Sequence, residues 1–525
     1  MQTFHIEHIT DRFHKKPRAI ALGIFDGVHL GHRAVIALTG GRQGLVPSVF
    51  SFSQAPWQIP KSNAWEIVSE TEKQKALVSL GIEEMFLADF EAVRNLSPEE
   101  FVKDILQDML GAEMVCCGYN FHFGKNGSGD ARMLQTLCER YGMQVAVAKE
   151  VAVDGEAVSS SRIRRYIEAG EMEKATRLLG HPFTVDFTVV TGQQLGRELG
   201  TPTINQPLPD HFVRPRFGVY ASSVLVGDTV MTGITNVGMR PTVGAEQPLV
   251  ETWIPSYQGD LYGQQVPVSL VRFIRPEVKF ETLDELQQAI FEDEKTVCSL
   301  MEGDGHEDIR AVLFDFDDTL HDRNCAYMRF SEFFVKKYFP ELSPQEQYAR
   351  MVEMTERNGG GYVDYLKYLT ELIQDWNWKD APSVEELYSE VQFMFPEYVV
   401  LNDEAIQVLK ELRSRGLRLG IITNGPILLQ HRKLDVCGVR PLVDVAVVSC
   451  EENVHKPSPE IFRRAASRLG VPCRNCLFVG DHPINDIQGA QSAGMKPVYI
   501  NFVGNPVKPQ DVPEIISVTE ILDMI

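Results

Sequence analysis

Residues 23–32 read Gly-Ile-Phe-Asp-Gly-Val-His-Leu-Gly-His, where the apolar run Ala19–Ile24 gives way to a helical pattern. The spacing places this decapeptide at a strand-to-helix turn. His29 and His32, three apart, share one face of the first helical turn. A helix start also offers unpaired backbone N–H groups and the positive end of the helix dipole. Histidines and amides so placed bind a triphosphate and stabilise charge on an α-phosphate under attack. Gly23, Gly27 and Gly31 let the backbone approach phosphates closely. A lone histidine pair would be explained as a helix cap; the full decapeptide at such a turn favours chemistry.

Outward from this turn, strand runs at Leu45–Phe52, Glu84–Ala88, Met114–Tyr119 and Met143–Val151 alternate with helical patterns. The clearest helix is Ser97–Leu110, with a capping box from Ser97 to Glu100 and Pro98 in its first turn. Such alternation predicts a parallel sheet covered by helices. Ser159-Ser-Ser-Arg-Ile-Arg164 starts a short helix whose hydroxyls and arginines suit the outgoing phosphates of ATP. From Phe183 to Phe273 short β runs broken by Gly and Pro predict a small antiparallel barrel, closed by a helix from Thr282 to about Leu300. It contains Gly192-Gln-Gln-Leu-Gly-Arg-Glu-Leu-Gly-Thr-Pro-Thr-Ile-Asn205, a glycine-rich loop followed by neutral oxygen donors for phosphate and Mg²⁺. The polar stretch Met301–Asp308 is the best linker candidate. Beyond it, Phe314-Asp-Phe-Asp-Asp-Thr-Leu320 ends an apolar strand, with Asp315 and Asp317 on one side of the chain. Three more elements follow in order: Ile421-Ile-Thr-Asn-Gly425, His455-Lys-Pro-Ser-Pro459 and Phe478-Val-Gly-Asp-His-Pro-Ile-Asn-Asp486. Paired acids, a hydroxyl, a lysine and further acids at strand ends fit Mg²⁺-assisted attack on a phosphate ester.

Over residues 1 to about 300 the sequence resembles the bacterial bifunctional riboflavin kinase/FAD synthetases. The motifs are GIFDGVHLGH, GYNFHFGKNGSGD (118–130), SSSRIR, LLGHPF (178–183), the Pro-Thr-x-Asn motif ending at Asn205, and the Val-Glu strand at 250–251. Residues 309–525 resemble the haloacid dehalogenase superfamily in all four motifs. The implied fold is multidomain α/β. It comprises a nucleotidyltransferase Rossmann-like domain (1–180), a flavokinase six-stranded antiparallel β-barrel (181–300), a linker (301–308), and a haloacid dehalogenase-like α/β domain (309–525) with a helical cap at about 325–400. In the first domain the resemblance implies that Gly23, Asp26, His29, His32, Ser160 and Arg162 handle ATP, with Asn120 and Phe123 beside the flavin. In the barrel it implies that Gly192, Thr203 and Asn205 hold phosphate, the last two also Mg²⁺, while Glu251 is the general base. In the third it implies that Asp315 becomes phosphorylated and Asp317 serves as acid and base. Thr423 and Lys456 would hold the phosphoryl group, and Asp315, Asp317, Asp481 and Asp486 would surround Mg²⁺. Riboflavin, FMN and FAD are the implied substrates and products, with ATP as co-substrate.

The sequence departs from the first family at one place. Phe52-Ser-Gln-Ala-Pro56 stands where that family carries a Phe-Asp-Pro-His-Pro-like stretch, so a first domain that binds flavin without turnover is the rival reading. The phosphatase substrate is open between FMN, towards which fusion to a flavin kinase leans, and the phosphorylated ribitylaminopyrimidine precursor of riboflavin. Trp376, Trp378, Tyr362 and Tyr365 are either ring-stacking or cap core. With 525 residues and a formal charge of −21, the chain repels nucleic acid and anionic membranes except at a local basic patch. Small molecules are therefore the expected partners. Nine cysteines without a disulfide-scaffold spacing, and no apolar run long enough to span a bilayer, predict a cytoplasmic enzyme. Cys473 and Cys476 read as coincidence, and oligomeric state is not readable.

Overall fold

The computed structural model describes residues 1–8, 13, 16–40, 42, 44–53, 66–192, 200–242, 245–302, 309–361, 363–501 and 509–525. Two interleaved periodicities build the first sheet. Ile20 and Leu22 enter one core with Phe50 and Phe86, while Ala19 and Ala21 enter the opposite core with Val49, Met85 and Leu87. Strands β1 (Gln2–Ile6), β2 (Arg18–Leu22), β3 (Val46–Phe52), β4 (Glu84–Ala88), β5 (Ala112–Gly118) and β6 (Gln144–Ala148) run parallel in the order β1-β4-β3-β2-β5-β6. The edge strand β1 has no apolar run to announce it, since Ile6 is its one buried residue. Helix α1 (Leu30–Ala37) leaves the carboxyl end of central strand β2. Helices α2 (Ser160–Ala169) and α3 (Met172–Leu179) close this part of the chain. The capping box at Ser97 forms with both of its hydrogen bonds.

The second sheet is antiparallel throughout. Its strands β7 (Phe183–Val185), β8 (Thr203–Pro207), β9 (Gly218–Val226), β10 (Thr229–Thr242), β11 (Ala245–Trp253) and β12 (Val268–Arg275) lie in the order β7-β12-β9-β10-β11-β8. A bridge between Val190 and Asn205 brings the chain after β7 onto β8, curling the sheet back on itself. Helix α4 (Leu283–Glu302) is capped at Thr282 and packs Val297 and Met301 against Val219, Ala221 and Trp253. Met301 is therefore core rather than linker, because it completes this apolar face; residues 303–308 lie outside the described residues.

The third sheet is parallel again: β13 (Ala311–Phe314), β14 (Arg418–Thr423), β15 (Val445–Val448), β16 (Cys476–Gly480), β17 (Lys496–Ile500) and β18 (Glu514–Ile515), in the order β15-β14-β13-β16-β17-β18. Among the described residues five α-helices stand between β13 and β14: α5 (Arg323–Tyr338), α6 (Pro344–Arg357), α7 (Tyr365–Asp375), α8 (Val384–Met394) and the helix Asp403–Ser414 that leads into β14. Trp376 and Trp378 pack edge-on against Phe339, Tyr338 and Phe334 and belong to the core of this cap. Helices α9 (Ile427–Val436) and α10 (Pro459–Leu469) follow β14 and β15. Cys473 and Cys476 are free thiols, Cys476 buried in β16.

The third sheet and its helices dock on both preceding units. Arg418 pairs with Glu173 at 3.2 Å, and Ser467 Oγ lies 2.9 Å from Ser223 Oγ. Gly470 ends α10 in the left-handed region at φ 65°, where a Cβ would lie 2.5 Å from Val271 Cγ1 of β12. Gly470→Ala is therefore expected to lower stability by about 1–2 kcal/mol. Urea unfolding checks this; an unchanged midpoint would mean that the contact yields freely.

Candidate active sites

The β2–α1 turn is held in an unusual backbone path. Phe25 (φ 54°) and Val28 (φ 38°) occupy the left-handed region although neither is glycine, strain that is tolerated where a site requires it. Asp26 anchors the turn: its carboxylate accepts from Ile67 N–H at 2.8 Å and from Arg164 at 2.6 Å. Ser160 Oγ donates to the Asp26 carbonyl, and His181 Nε2 lies 3.1 Å from the Gly27 carbonyl. Burial pushes the Asp26 carboxyl up, and Arg164 opposes it. His29 caps α1, its Nδ1 accepting from His32 N–H at 3.2 Å, and the two rings stack with centroids 3.6 Å apart. Burial lowers His29 to about 3 and His32 well below its ordinary value, and the Arg164 guanidinium adds to both. Both rings are thus neutral hydrogen-bonding groups at physiological pH.

These residues face a cavity of about 850 Å³, lined also by Gly23, Asn120 and Phe123, with Phe52, Phe90 and Phe101 as an apolar wall. It is large enough for a dinucleotide-sized ligand. Arg164 lines it; Arg162 does not, because its guanidinium donates to the Ala157 carbonyl and pairs with Glu156. In the stretch Phe52–Pro56, Phe52 lines the cavity and residues 54–56 lie outside the described residues.

In the barrel, Asn205 of β8 stands directly across from Glu251 of β11, and Thr203 lies two residues away on the same face. Both Asn205 and Glu251 are buried. Asn205 Oδ1 is buried without a hydrogen-bond partner, and Gly192 packs so closely that a Cβ there would strike the Asn205 amide. An orphaned carbonyl oxygen beside a buried carboxylate fits a hard cation. The loop 193–199 lies outside the described residues. Arg275 is scaffold, joined to Asp293 of α4 by bonds of 2.8 and 2.6 Å.

In the third sheet, Asp315 and Asp481 directly follow β13 and β16 and Asp486 lies in the helical turn Pro483–Gln488, with one oxygen of each carboxylate within 4.8 Å of the others. Lys456 Nζ lies 2.6 Å from both Asp315 and Asp486. Burial raises Asp315 and Asp481, with repulsion from Asp486 adding to both, while Asp315 and Asp486 hold Lys456 protonated against its burial. Three oxygen anions at this spacing suit Mg²⁺. Thr423 ends β14 and, with Asp315, Asp317, Lys456, Arg323, Tyr365 and Phe395, lines a cavity of about 280 Å³. Tyr362 lies outside the described residues.

The Asp317 carboxylate is not part of the three-acid cluster. His321 Nε2 lies 2.9 Å from it, Gln430 donates at 3.1 Å, and Lys433 contacts both oxygens, one at 2.6 Å. Burial alone would push Asp317 up; Lys433 and His321 outweigh it and hold the group well below the usual carboxylate range. Gln430 and Lys433 carry no motif signature. Their i, i+3 spacing on one helix is the only sign of them in the sequence.

Family models match this chain in three places: FAD synthetase over residues 11–162, riboflavin kinase over 179–301, and haloacid dehalogenase-like hydrolase over 309–494. The bifunctional riboflavin kinase/FMN adenylyltransferase of Listeria monocytogenes is 32% identical over 305 residues, covering 56% of this chain and 96% of that protein. The Escherichia coli K12 protein of the same description is 33% identical over 285 residues, covering 53% and 90%. A crystal structure described as a macrolide-efflux protein from Streptococcus pneumoniae aligns with a TM-score of 0.52 at 27% identity, covering 57% of this chain and 99% of that one. The chain is thus a multidomain α/β enzyme with two flavin-nucleotide modules and a hydrolase module. It belongs to the bifunctional riboflavin kinase/FMN adenylyltransferase family and carries a haloacid dehalogenase-like hydrolase domain behind the family's own two.

Arg164→Met would leave the Asp26 carboxyl buried without its cation, at a cost of about 3 kcal/mol. It would also remove positive charge from the nucleotide cavity. Calorimetry with ATP is expected to show at least roughly tenfold weaker binding, and thermal unfolding a lower midpoint.

Proposed function

We propose that the chain phosphorylates riboflavin to FMN, adenylylates FMN to FAD, and hydrolyses a phosphomonoester of the flavin pathway, FMN being the leading candidate. The first activity is supported by Glu251 lying across from Asn205. Glu251 takes the proton of the 5′-hydroxyl as that oxygen attacks the γ-phosphate, and Thr203 and Asn205 would hold the magnesium of the nucleotide. The second is supported by the neutral His29–His32 pair at the start of α1, which donates hydrogen bonds to the α-phosphate while FMN displaces pyrophosphate. A complete histidine pair in a cavity this size favours turnover over flavin binding alone.

The phosphatase reading is carried by one observation, Asp315 gathered with Asp481, Asp486, Lys456 and Thr423 at one sheet edge. Asp315 attacks phosphorus, and Thr423 and Lys456 hold the phosphoryl oxygens. Asp317, ionised in the free site, receives the proton carried by a monoanionic ester, passes it to the leaving alcohol, and then takes one from the water that releases Asp315. Asp315, Asp481 and Asp486 would bind the metal; magnesium, when bound, screens charge between carboxylates and phosphate. The cavity of about 280 Å³ takes the phosphoryl group and a ribityl chain, so the ring of FMN extends beyond it towards the cap.

Purified protein given riboflavin, ATP and Mg²⁺ is expected to yield FMN and then FAD by chromatography. Glu251→Gln is expected to slow FMN formation by about 10²–10⁴-fold. Asp315→Asn should leave kinase turnover intact and let FMN accumulate further. FMN without FAD at every enzyme concentration would remove the adenylyltransferase claim. No extra FMN in Asp315→Asn would turn the assay to the pyrimidine precursor.

A further inference from the structure

Helix α1 of the nucleotide site and helix α9 of the hydrolase share one buried charge cluster. Arg33, next to His32, is buried, yet it is absent from the lining of the nucleotide cavity and points to α9 instead. Its Nη2 lies 3.1 Å from His431 Nδ1 and its Nε 3.7 Å from Asp435 Oδ1. Arg440 reaches the same two groups. His431 Nε2 lies 2.9 Å from Glu451. The hydrogen-bond directions agree: Nε2–H donates to Glu451, and the Nδ1 lone pair accepts from the guanidiniums. Around this neutral imidazole, two guanidiniums face two carboxylates. Removing Arg33 leaves the largely buried Asp435 with Arg440 as its remaining guanidinium contact and gives the cluster net negative charge, Glu451 alone reaching solvent.

Other contacts fasten the same two helices. Arg432 Nη1 donates to the carbonyl of Ala37, the last residue of α1, at 2.9 Å. Leu428 of α9 packs on Gly81 of the first domain. Every side chain from Leu429 to Leu434 is buried, so α9 has little room to shift alone. Its other face presents Gln430 and Lys433 to Asp317.

We infer that Arg33, in the adenylyltransferase domain, is a positioning residue for the phosphatase. It fixes α9 so that Lys433 and Gln430 hold Asp317 where the ester oxygen departs. This rests on the reading of the third module as a phosphatase that uses Asp317 as its acid. The hydrolase then takes part of its active-site geometry from a domain to which it is fused, and works below capacity when that contact is lost.

The test uses full-length protein, Mg²⁺ and two esters of similar size, phenyl phosphate and 4-nitrophenyl phosphate. The nitrophenolate departs without help from an acid; the phenolate depends on one. Because kcat/KM reports the steps through phosphoryl transfer to Asp315, it isolates that difference. Arg33→Met is expected to lower kcat/KM for phenyl phosphate about tenfold or more, and for 4-nitrophenyl phosphate less than about threefold. Arg33→Lys should restore most of the loss. Asp435→Asn, altering the cluster from the α9 side, should repeat the pattern and decides the matter if Arg33→Met does not fold. An equal fall on both esters, or none, overturns the inference. Wild-type protein that hydrolyses neither ester removes the phosphatase reading and this inference with it.

Discussion

Strands buried on both faces leave a parallel sheet only its ends for chemistry. That constraint organises the first and third sheets of this chain. In each, the central strand is wholly buried, and the residues that immediately follow it carry the reactive groups. After β2 come Asp26, His29 and His32; after β13 come Asp315 and Asp317. Antiparallel strands alternate between core and cleft, so the curled middle sheet uses its inner faces, with Asn205 and Glu251 paired across two strands.

The three sites answer one electrostatic problem in different ways. A chain with a net charge of −21 must receive polyanions. The first site offers neutral donors at a helix start, with Arg164 as a buried cation already committed to Asp26. The second has an uncharged amide oxygen beside a carboxylate. The third concentrates three carboxylates and restrains them with Lys456. Local geometry, not overall charge, governs whether phosphate is admitted.

What could be read from the sequence follows the range of the forces involved. The β2–α1 turn, the capping box at Ser97 and the acid pair after β13 are local patterns, and the structure has them where the residues put them. Strand β1 was illegible because an edge strand with one buried residue carries no apolar run. Met301 looked like linker because the sequence cannot say that β9 and β11 wait beneath it. Choosing between Arg162 and Arg164 needs the helix phase relative to the cavity, since both lie in one turn of α2. Two partners of Asp317, Gln430 and Lys433, are more than a hundred residues away, and only packing brings them to it.

The pairing of Arg33 with His431 spans 398 residues, which gives it a meaning in time as well as space. At ordinary rates of synthesis α1 emerges roughly 20–80 s before α9, long enough for an N-terminal domain to fold first. The hydrolase therefore assembles against a finished surface. Helix α9 meets one counter-charge for Asp435, Arg33, on that surface, while Asp317, Glu397, Arg440 and Glu451 come from the hydrolase itself. The order of the modules along the chain thereby bears on how the third fold is reached.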